Sequence, residues 1–308
     1  MTIEARTLQS SFLGVDTLRH IFAATRPHEW VKNTFVVAPL VFSQNAFNVQ
    51  LALKSWLAFC IFCCAAGGVY LINDICDRTQ DREHPEKRHR PIAAGVLSVN
   101  CAAWAAALLL AIAIAGAFVL GIEFGVVTVT YVVLVVSYSN WLKHIVIVDV
   151  FAIAAGFVLR VTAGAVVVDV VMSHWLIICT MLLALFLGLS KRRYEIVTSG
   201  GNGRNQRKVL AEYDPLFLDM MIGIVTSATV VSYALYTVSH ETIQRFQTDR
   251  LILTLPFVLY GIFRYLYLVY HKNHGGNPSQ HLMSDVPLLI DIIMWVLICG
   301  LIIYIAHL

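Results

Sequence analysis

A run of oxygen-bearing side chains follows a long apolar stretch, in the string NDICDRTQD at residues 73–81. If this string is helical, Asn73, Asp77 and Asp81 recur every four residues and share one face of the helix. Such a row suits a hard cation, and magnesium usually keeps waters and substrate phosphate oxygens in its other coordination positions. The row therefore predicts half of a magnesium site completed by a diphosphate, with Asn73, Asp77 and Asp81 as metal-binding and catalytic residues.

Cations come directly after these acids, namely Arg82, Lys87, Arg88 and Arg90. Carboxylates can hold a metal while neighbouring cations hold the remaining phosphate charge. Acids at a helix end are also typical of a solvated cap, but carboxylates at a membrane boundary are costly without a partner. We therefore expect Lys87 and Arg90 to bind substrate phosphates.

The elements that position these residues are predicted to be membrane helices. Hydrophobic residues make up 58% of the 308 residues and charged residues only 13%. A bilayer core of about 30 Å needs roughly 20 apolar residues per helix, and such stretches recur along the chain. We predict an all-α polytopic bundle of about nine transmembrane helices forming a single domain over residues 1–308. The predicted spans are Asn33–Val49 (the weakest), Leu51–Ile72, Ala102–Leu120, Phe124–Leu142, Ile145–Val168, Trp175–Leu189, Leu216–Ser239, Leu251–Tyr270 and Val286–His307.

Lysine and arginine are distributed unevenly between the two predicted sides of the membrane. Two long polar loops, Asn73–Asn100 and Lys191–Pro215, fall on the side that carries most of these cations. The positive-inside rule assigns that side to the cytoplasm. We expect a multi-pass protein of the cell membrane with its active site on the cytoplasmic side, and no nucleic-acid partner.

The string NDICDRTQDREHPEKRHRPIAAG resembles the first aspartate-rich motif of the UbiA superfamily of intramembrane prenyltransferases. Within that superfamily the sequence is most similar to phosphoribosyltransferases that act on decaprenyl phosphate. The similarity is carried by RPHEWVKN at residues 26–33, VYLINDICD at residues 69–77, the Tyr138/Lys143/Asp149 pattern and GLSKRRYE at residues 188–195. It implies a Mg²⁺ cofactor and transfer of 5-phosphoribose from phosphoribosyl diphosphate to a polyprenyl phosphate, with release of diphosphate. It also implies substrate contacts by Lys32 and Tyr70.

The chain departs from the superfamily at the second aspartate-rich motif. In its place stands SKRRYE, with Lys191, Arg192 and Tyr194 as predicted substrate-binding residues. Cations in place of acids can hold a phosphate directly instead of a second metal. Phosphoribosyl diphosphate carries charge at both ends, so one metal site and one basic cluster match it.

Further polar residues extend the predicted site. Tyr138, Lys143 and Asp149 follow the YxxxxKxxxxxD pattern of the similar phosphoribosyltransferases, so we expect all three to contact the substrate. The alternatives are that Lys143 is a positive-inside anchor and Lys32 an interfacial lysine. Arg160 lies inside an apolar span, where an unpaired charge costs at least ~2.5 kcal/mol, so it should face a polar cavity or an anion.

Two other functions stay open at this stage. A prenyltransferase that moves a polyprenyl group from its diphosphate to an aromatic or other small acceptor would use the same acidic row. A transporter or lipid-binding protein would instead place broken helices and polar residues near the middle of the membrane. Assembly of several copies of the chain is also left open.

Overall fold

A computed structural model shows eight helices long and apolar enough to cross a membrane among the residues that it describes. Those are residues 14, 16–83, 85, 87–198, 212–271 and 284–305. The predicted all-α membrane bundle is confirmed, and the chain is a multi-pass membrane protein. The described helices are residues 16–24 (α1), Ala38–Phe42 (α2), Val49–Cys76 (α3), Arg78–Glu83 (α4), Val99–Leu120 (α5), Ile122–Asn140 (α6), Val148–Val167 (α7), His174–Thr198 (α8), Pro215–Val238 (α9), His240–Phe246 (α10), Leu255–His271 (α11) and Val286–Ile305 (α12).

The first predicted span, Asn33–Val49, is not one helix. The chain instead forms a 3-10 helix over Pro27–Val36, then the five-residue α2, then turns. Pro39 lies in the first turn of α2 and has no backbone N–H to donate, and Gln44 after α2 has a φ of 62°. These two residues interrupt the helix although the segment is apolar, so the prediction of an unbroken helix was wrong.

This broken segment nevertheless runs the length of the bundle. Arg26 pairs with Asp74 near the end of α3, whereas the Ala46 N–H donates to the Tyr304 hydroxyl 3.1 Å away, close to the start of α3. The 28 residues of α3 extend over about 42 Å. The segment therefore crosses the bundle as predicted, but as short helices.

Most of the residues that could take part in chemistry lie at one end of the bundle. Asp77, which follows α3, contacts Lys143 from the connection between α6 and α7. Arg192, in the last two turns of α8, contacts Asp149 in the first turn of α7. Tyr213, just before α9, contacts Asp149 as well. The starts of both predicted polar loops therefore lie at a common end.

The second of these predicted loops begins later than expected. Lys191 to Thr198 continue α8 as a regular helix, so a loop starting at Lys191 was wrong. Lysine, arginine and glutamate favour helices, and Arg192 forms an ion pair at 2.6 Å with Glu195 one turn later. Residues 199–211 of the predicted loop lie outside the described residues, and its last residue, Pro215, is the first residue of α9.

Gly164 allows α7 to approach the first 3-10 helix closely. A Cβ at this position would lie 2.0 Å from the backbone oxygen of Val36, which cannot rotate away. We expect Gly164→Ala to destabilise the protein by about 1–3 kcal/mol through overpacking. Thermal unfolding in detergent would measure this.

Gly223 of α9 provides the control for this substitution. A Cβ there would meet no atom within 4 Å, so Gly223→Ala should leave the melting temperature unchanged or raise it, since alanine favours helices. Equal melting temperatures for the two alanine variants would contradict the close approach at Gly164.

Candidate active site

The acidic row forms on one helical face, as the four-residue spacing predicts. The Asp77 N–H donates to the Asn73 carbonyl and the Asp81 N–H donates to the Asp77 carbonyl, each over 2.8 Å. The backbone therefore keeps helical hydrogen bonding from α3 into α4. Three oxygen-bearing side chains are lined up at the end of a membrane helix.

Asp74 is an additional acid at this site that the sequence reasoning did not select. Its side chain is only 2% exposed, and it accepts hydrogen bonds from Arg26 and, over 3.1 Å, from Arg90. Arg90 also donates to Asp81 over 2.6 Å. Asp74 and Asp81 are seven residues apart, two helical turns, so one arginine can hold both. Arg90 thus binds the two carboxylates, and this geometry does not favour the phosphate contact predicted for it.

Lys143 is the cation that contacts the centre of the row. Its Nζ lies 3.1 Å and 3.2 Å from the two carboxylate oxygens of Asp77. Lys143 belongs to the short 3-10 helix Leu142–His144, and the chain then turns at Ile147, whose φ of 68° is rare for a β-branched residue. The structure thus brings together two predicted residues that are far apart in sequence.

The YxxxxKxxxxxD pattern and the basic motif meet in a buried ionic network. Arg192 donates to Asp149 over 2.6 Å, to Glu195 over 2.6 Å and to the Tyr138 hydroxyl over 2.9 Å. Asp149 also accepts a 2.8 Å hydrogen bond from the Tyr213 hydroxyl. These contacts tie together α6, α7, α8 and the short segment before α9 that contains Tyr213.

Burial changes the expected role of two residues in this network. The side chains of Arg192 and Asp149 are 1% and 0% exposed, and their polar groups bond each other and the Tyr138 hydroxyl. The geometry therefore does not support the direct substrate contacts predicted for Asp149 and Arg192. It supports a positioning role, in which they fix the end of α8 against α7. Tyr138 is partly exposed, so its contact with substrate stays a prediction.

Tyr213 links this network to the backbone at the start of α7. Its hydroxyl accepts a 2.6 Å hydrogen bond from the Ile147 N–H and donates to Asp149. Burial raises the pKa of Tyr213, and the neighbouring Asp149 carboxylate raises it too, although the Ile147 N–H acts in the opposite direction. The hydroxyl therefore stays protonated and keeps donating to Asp149 at neutral pH.

The basic motif on α8 does not form one surface. Successive helical residues point about 100° apart, since a turn takes 3.6 residues. Arg192 points into the bundle, whereas Arg193 pairs with Asp219 and lies over the Tyr270 ring, 3.8 Å from its centre. Lys191, which is partly exposed, is therefore the cation of this motif best suited to a ligand.

Arg160 is buried without a carboxylate among its described partners. Its guanidinium donates to the Asn33 side chain over 2.9 Å, to the Gly156 carbonyl over 3.0 Å and to the Tyr131 hydroxyl over 2.7 Å. The side chain lies within α7, about 17 Å along the helix from Asp149. It is therefore deeper in the bundle than the acidic row, and the described groups that accept its hydrogen bonds are all neutral.

The other predicted site residues lie around these clusters. Lys32 forms an ion pair with Glu29 in the first 3-10 helix. Arg26 lies over the Tyr70 ring, 4.9 Å from its centre, which joins Tyr70 to the cations around Asp74. Lys87 and Tyr194 are partly exposed and each interacts with neighbouring groups.

Sequence reasoning missed several residues that the structure adds to the site, and three of them carried a usable signal. Arg26 opens the string RPHEWVKN, Asp74 stands two helical turns before Asp81, and Glu195 stands one turn after Arg192. Tyr131 and Tyr213 had no comparable signal, because their partners Arg160 and Asp149 are far from them in sequence.

Comparison with known proteins shows the family to which the chain belongs. The family model described as the UbiA prenyltransferase family matches residues 34–279. The chain is 35% identical over 290 residues to the decaprenyl-phosphate phosphoribosyltransferase of Corynebacterium glutamicum, covering 92% of this chain and 86% of that protein. It is 30% identical over 295 residues to the protein of the same name from Mycolicibacterium smegmatis, covering 92% of each.

A solved structure shares the fold. The UbiA homologue from Archaeoglobus fulgidus, determined with DMAPP and Mg²⁺, superposes with a TM-score of 0.69 at 19% identity, covering 92% of this chain and 98% of that one. The family match, the relatives and the fold all point the same way. The chain belongs to the UbiA prenyltransferase family.

Proposed function

We propose that this enzyme transfers 5-phosphoribose from phosphoribosyl diphosphate to a polyprenyl phosphate, decaprenyl phosphate in the first instance, and releases diphosphate. One observation carries the proposal. A single segment, Tyr138 to Asp149, contacts both the acidic row through Lys143 and the basic end of α8 through Arg192. The names of the similar corynebacterial and mycobacterial proteins support it.

The donor has a charged group at each end, and the proposal assigns each end its own partner. The oxygen-rich row suits a metal-bound diphosphate, and the cation Lys191 suits the separate 5-phosphate. A prenyl diphosphate is charged at one end only, so Lys191 would lack a partner in that donor. This difference favours the phosphoribosyl donor.

The side chains of the row fit Mg²⁺. Asn73, Asp77 and Asp81 offer hard oxygen donors. Within the described part of the chain no group of three or more His, Cys, Asp or Glu side chains is close enough to form a metal cage. That fits an ion which keeps waters and phosphate oxygens as ligands. Bound there, Mg²⁺ would stabilise the negative charge that builds on the leaving diphosphate.

In the proposed reaction, a phosphate oxygen of the acceptor forms a bond to the anomeric carbon of the ribose while the bond from that carbon to the diphosphate breaks. The electron pair of that bond leaves with the diphosphate. Asp77 would hold the metal end of the leaving group, while Lys87, Lys143 and Lys191 would hold phosphate oxygens. Arg160 lies deeper in the bundle and already donates to Asn33, Gly156 and Tyr131, so it is assigned no donor phosphate. The acceptor is already ionised at neutral pH, so the reaction needs no strong general base.

The membrane side follows from charge. The end of the bundle that contains Asp77 and Lys143 also carries most of the lysine and arginine, which is typical of a cytoplasmic face. Cell-membrane insertion with this end in the cytoplasm is part of the proposal. A topology assay with a cysteine-modifying reagent at the exposed Cys76 would test it.

The reaction itself is tested with purified protein, radiolabelled phosphoribosyl diphosphate, Mg²⁺ and a panel of polyprenyl phosphates. Label should move into the lipid phase, and omission of the acceptor should prevent this. Release of diphosphate from a prenyl diphosphate, with phosphoribosyl diphosphate inert, would establish the prenyltransferase alternative instead.

Lys191 gives a prediction specific to the donor. Lys191→Glu places a negative charge where the 5-phosphate is proposed to bind, so the KM for phosphoribosyl diphosphate should rise by about tenfold or more, at least ~1.4 kcal/mol. Steady-state kinetics with the donor varied would measure it. Lys191→Gln, which removes the charge without reversing it, should give a smaller rise. Unchanged donor kinetics in both variants would remove Lys191 from the site.

A further inference from the structure

The three carboxylates at this site, Asp74, Asp77 and Asp81, all have cationic partners. Asp74 is held by Arg26 and Arg90, Asp81 by Arg90 and Asp77 by Lys143. The negative charge that would attract a metal ion is therefore already balanced. A metal that binds here competes with these cations for the carboxylates.

Asp77 is the carboxylate that can change partner most easily. Its side chain is 23% exposed, whereas those of Asp74 and Asp81 are 2% and 4% exposed. Two arginines contact Asp74, and one of them also holds Asp81, so those contacts support each other. Asp77 has one cationic partner among the described residues.

Lys143 is a cation that can leave its carboxylate partner, Asp77, readily. Lysine carries a compact charge on a flexible four-carbon chain, without the planar fork by which arginine holds a carboxylate at two points. Its Nζ lies at similar distances, 3.1 Å and 3.2 Å, from both oxygens of Asp77. The ammonium group therefore occupies the positions at which a metal ion would approach that carboxylate.

We propose that Lys143 is an exchangeable counter-ion, which neutralises Asp77 in the free enzyme and moves to a diphosphate oxygen when the donor binds with its metal. The inference rests on the proposed function, because it assumes a metal-bound diphosphate at this row. In the free enzyme Lys143 competes with the metal for Asp77. When the donor is present, its phosphate oxygens give the ammonium group a new partner.

One consequence is that the metal and the diphosphate arrive together. Without the donor, displacing Lys143 from Asp77 leaves an ammonium group at a membrane boundary with no replacement for its carboxylate, which opposes metal binding. With the donor, the same displacement gains a charge-assisted hydrogen bond to phosphate. The free enzyme should therefore bind divalent metal weakly.

The test measures metal binding without any turnover. Mn²⁺, which also favours carboxylate and water ligands, is titrated into the detergent-solubilised full chain in the absence of donor, and free Mn²⁺ is followed by electron paramagnetic resonance. Lys143→Met removes the competing charge, so the Kd for Mn²⁺ should fall by at least tenfold relative to the unmodified protein.

Two further variants separate competition from a general effect of substitution. Lys143→Arg keeps a positive charge beside Asp77, and its Kd should stay within about threefold of the unmodified value. Adding Asp77→Asn to Lys143→Met removes the carboxylate and should abolish the gain in affinity. If Lys143→Met does not fold, Lys143→Gln replaces it with the same expectation, since glutamine can still donate a hydrogen bond to Asp77.

An unchanged or higher Kd in the folded Lys143→Met or Lys143→Gln protein would overturn the inference. So would a gain in affinity that survives the Asp77→Asn substitution. Because the titration contains no donor or acceptor, its outcome is independent of the transfer assay. Failure to transfer phosphoribose would count against the proposed function, while the Mn²⁺ titration reports on Lys143 alone.

Discussion

Asp77→Ala is expected to lower turnover by about a thousandfold or more, which corresponds to about 4 kcal/mol of transition-state stabilisation. Asp77 lies at the centre of the oxygen-bearing row, and its carboxylate is the most exposed of the three acids held by cations there. Negative charge builds on the diphosphate as its bond to the ribose breaks. An alanine at this position removes the carboxylate that would hold the metal end of that leaving group.

Asp77→Ala should lose turnover because the reaction is impaired, and not because the protein unfolds. Asp77 follows α3 and contributes little packing, so Asp77→Ala should still fold, with a melting temperature lowered modestly by the loss of the ion pair with Lys143. Glu83, an exposed acid six residues further on, gives a matched control, and Glu83→Ala should retain normal turnover. Turnover of a folded Asp77→Ala protein within tenfold of normal would exclude Asp77 from the reaction.

Arg192→Met is expected to destabilise the fold by about 3–5 kcal/mol. Methionine fills much of the space of arginine but cannot donate to Asp149, whose side chain has no exposed surface. A buried carboxylate would then keep only the hydrogen bond from Tyr213. Thermal unfolding in detergent should show a clearly lowered melting temperature.

A variant of the neighbouring Arg193 and a double variant test whether the buried ion pair causes the loss of stability. Arg193→Met breaks the more exposed ion pair with Asp219 and should cost about 1 kcal/mol or less. Adding Asp149→Asn to Arg192→Met removes the uncompensated charge, so the double variant should recover part of the lost stability. A double variant less stable than Arg192→Met would show that the ion pair is not the source of the effect.

The acidic row could be predicted from sequence because its information is local. A four-residue spacing fixes a helical face wherever the helix lies, so Asn73, Asp77 and Asp81 needed no tertiary structure. The eight long apolar helices were predictable for the same reason. The break in the first segment was not predicted. The prediction relied on the apolar character of the segment and gave too little weight to Pro39 and to the polar residues that follow it.

The roles of the cations could not be predicted, because they depend on which helix faces which. Lys191, Arg192 and Arg193 are consecutive and chemically similar, yet only tertiary packing directs Arg192 to Asp149 and Arg193 to Asp219. Spacing along one chain segment does not encode these partners. Arg192, which was expected to bind substrate, is consequently buried in an ion network.

The most direct test of the account is electron cryomicroscopy of the detergent-solubilised protein with Mg²⁺ and phosphoribosyl diphosphate, without acceptor. The account predicts density for the diphosphate beside Asp77, with the 5-phosphate near Lys191 and the Lys143 ammonium group within hydrogen-bond distance of a diphosphate oxygen. Density for the donor away from Asp77, or with its 5-phosphate at the acidic row, would contradict it.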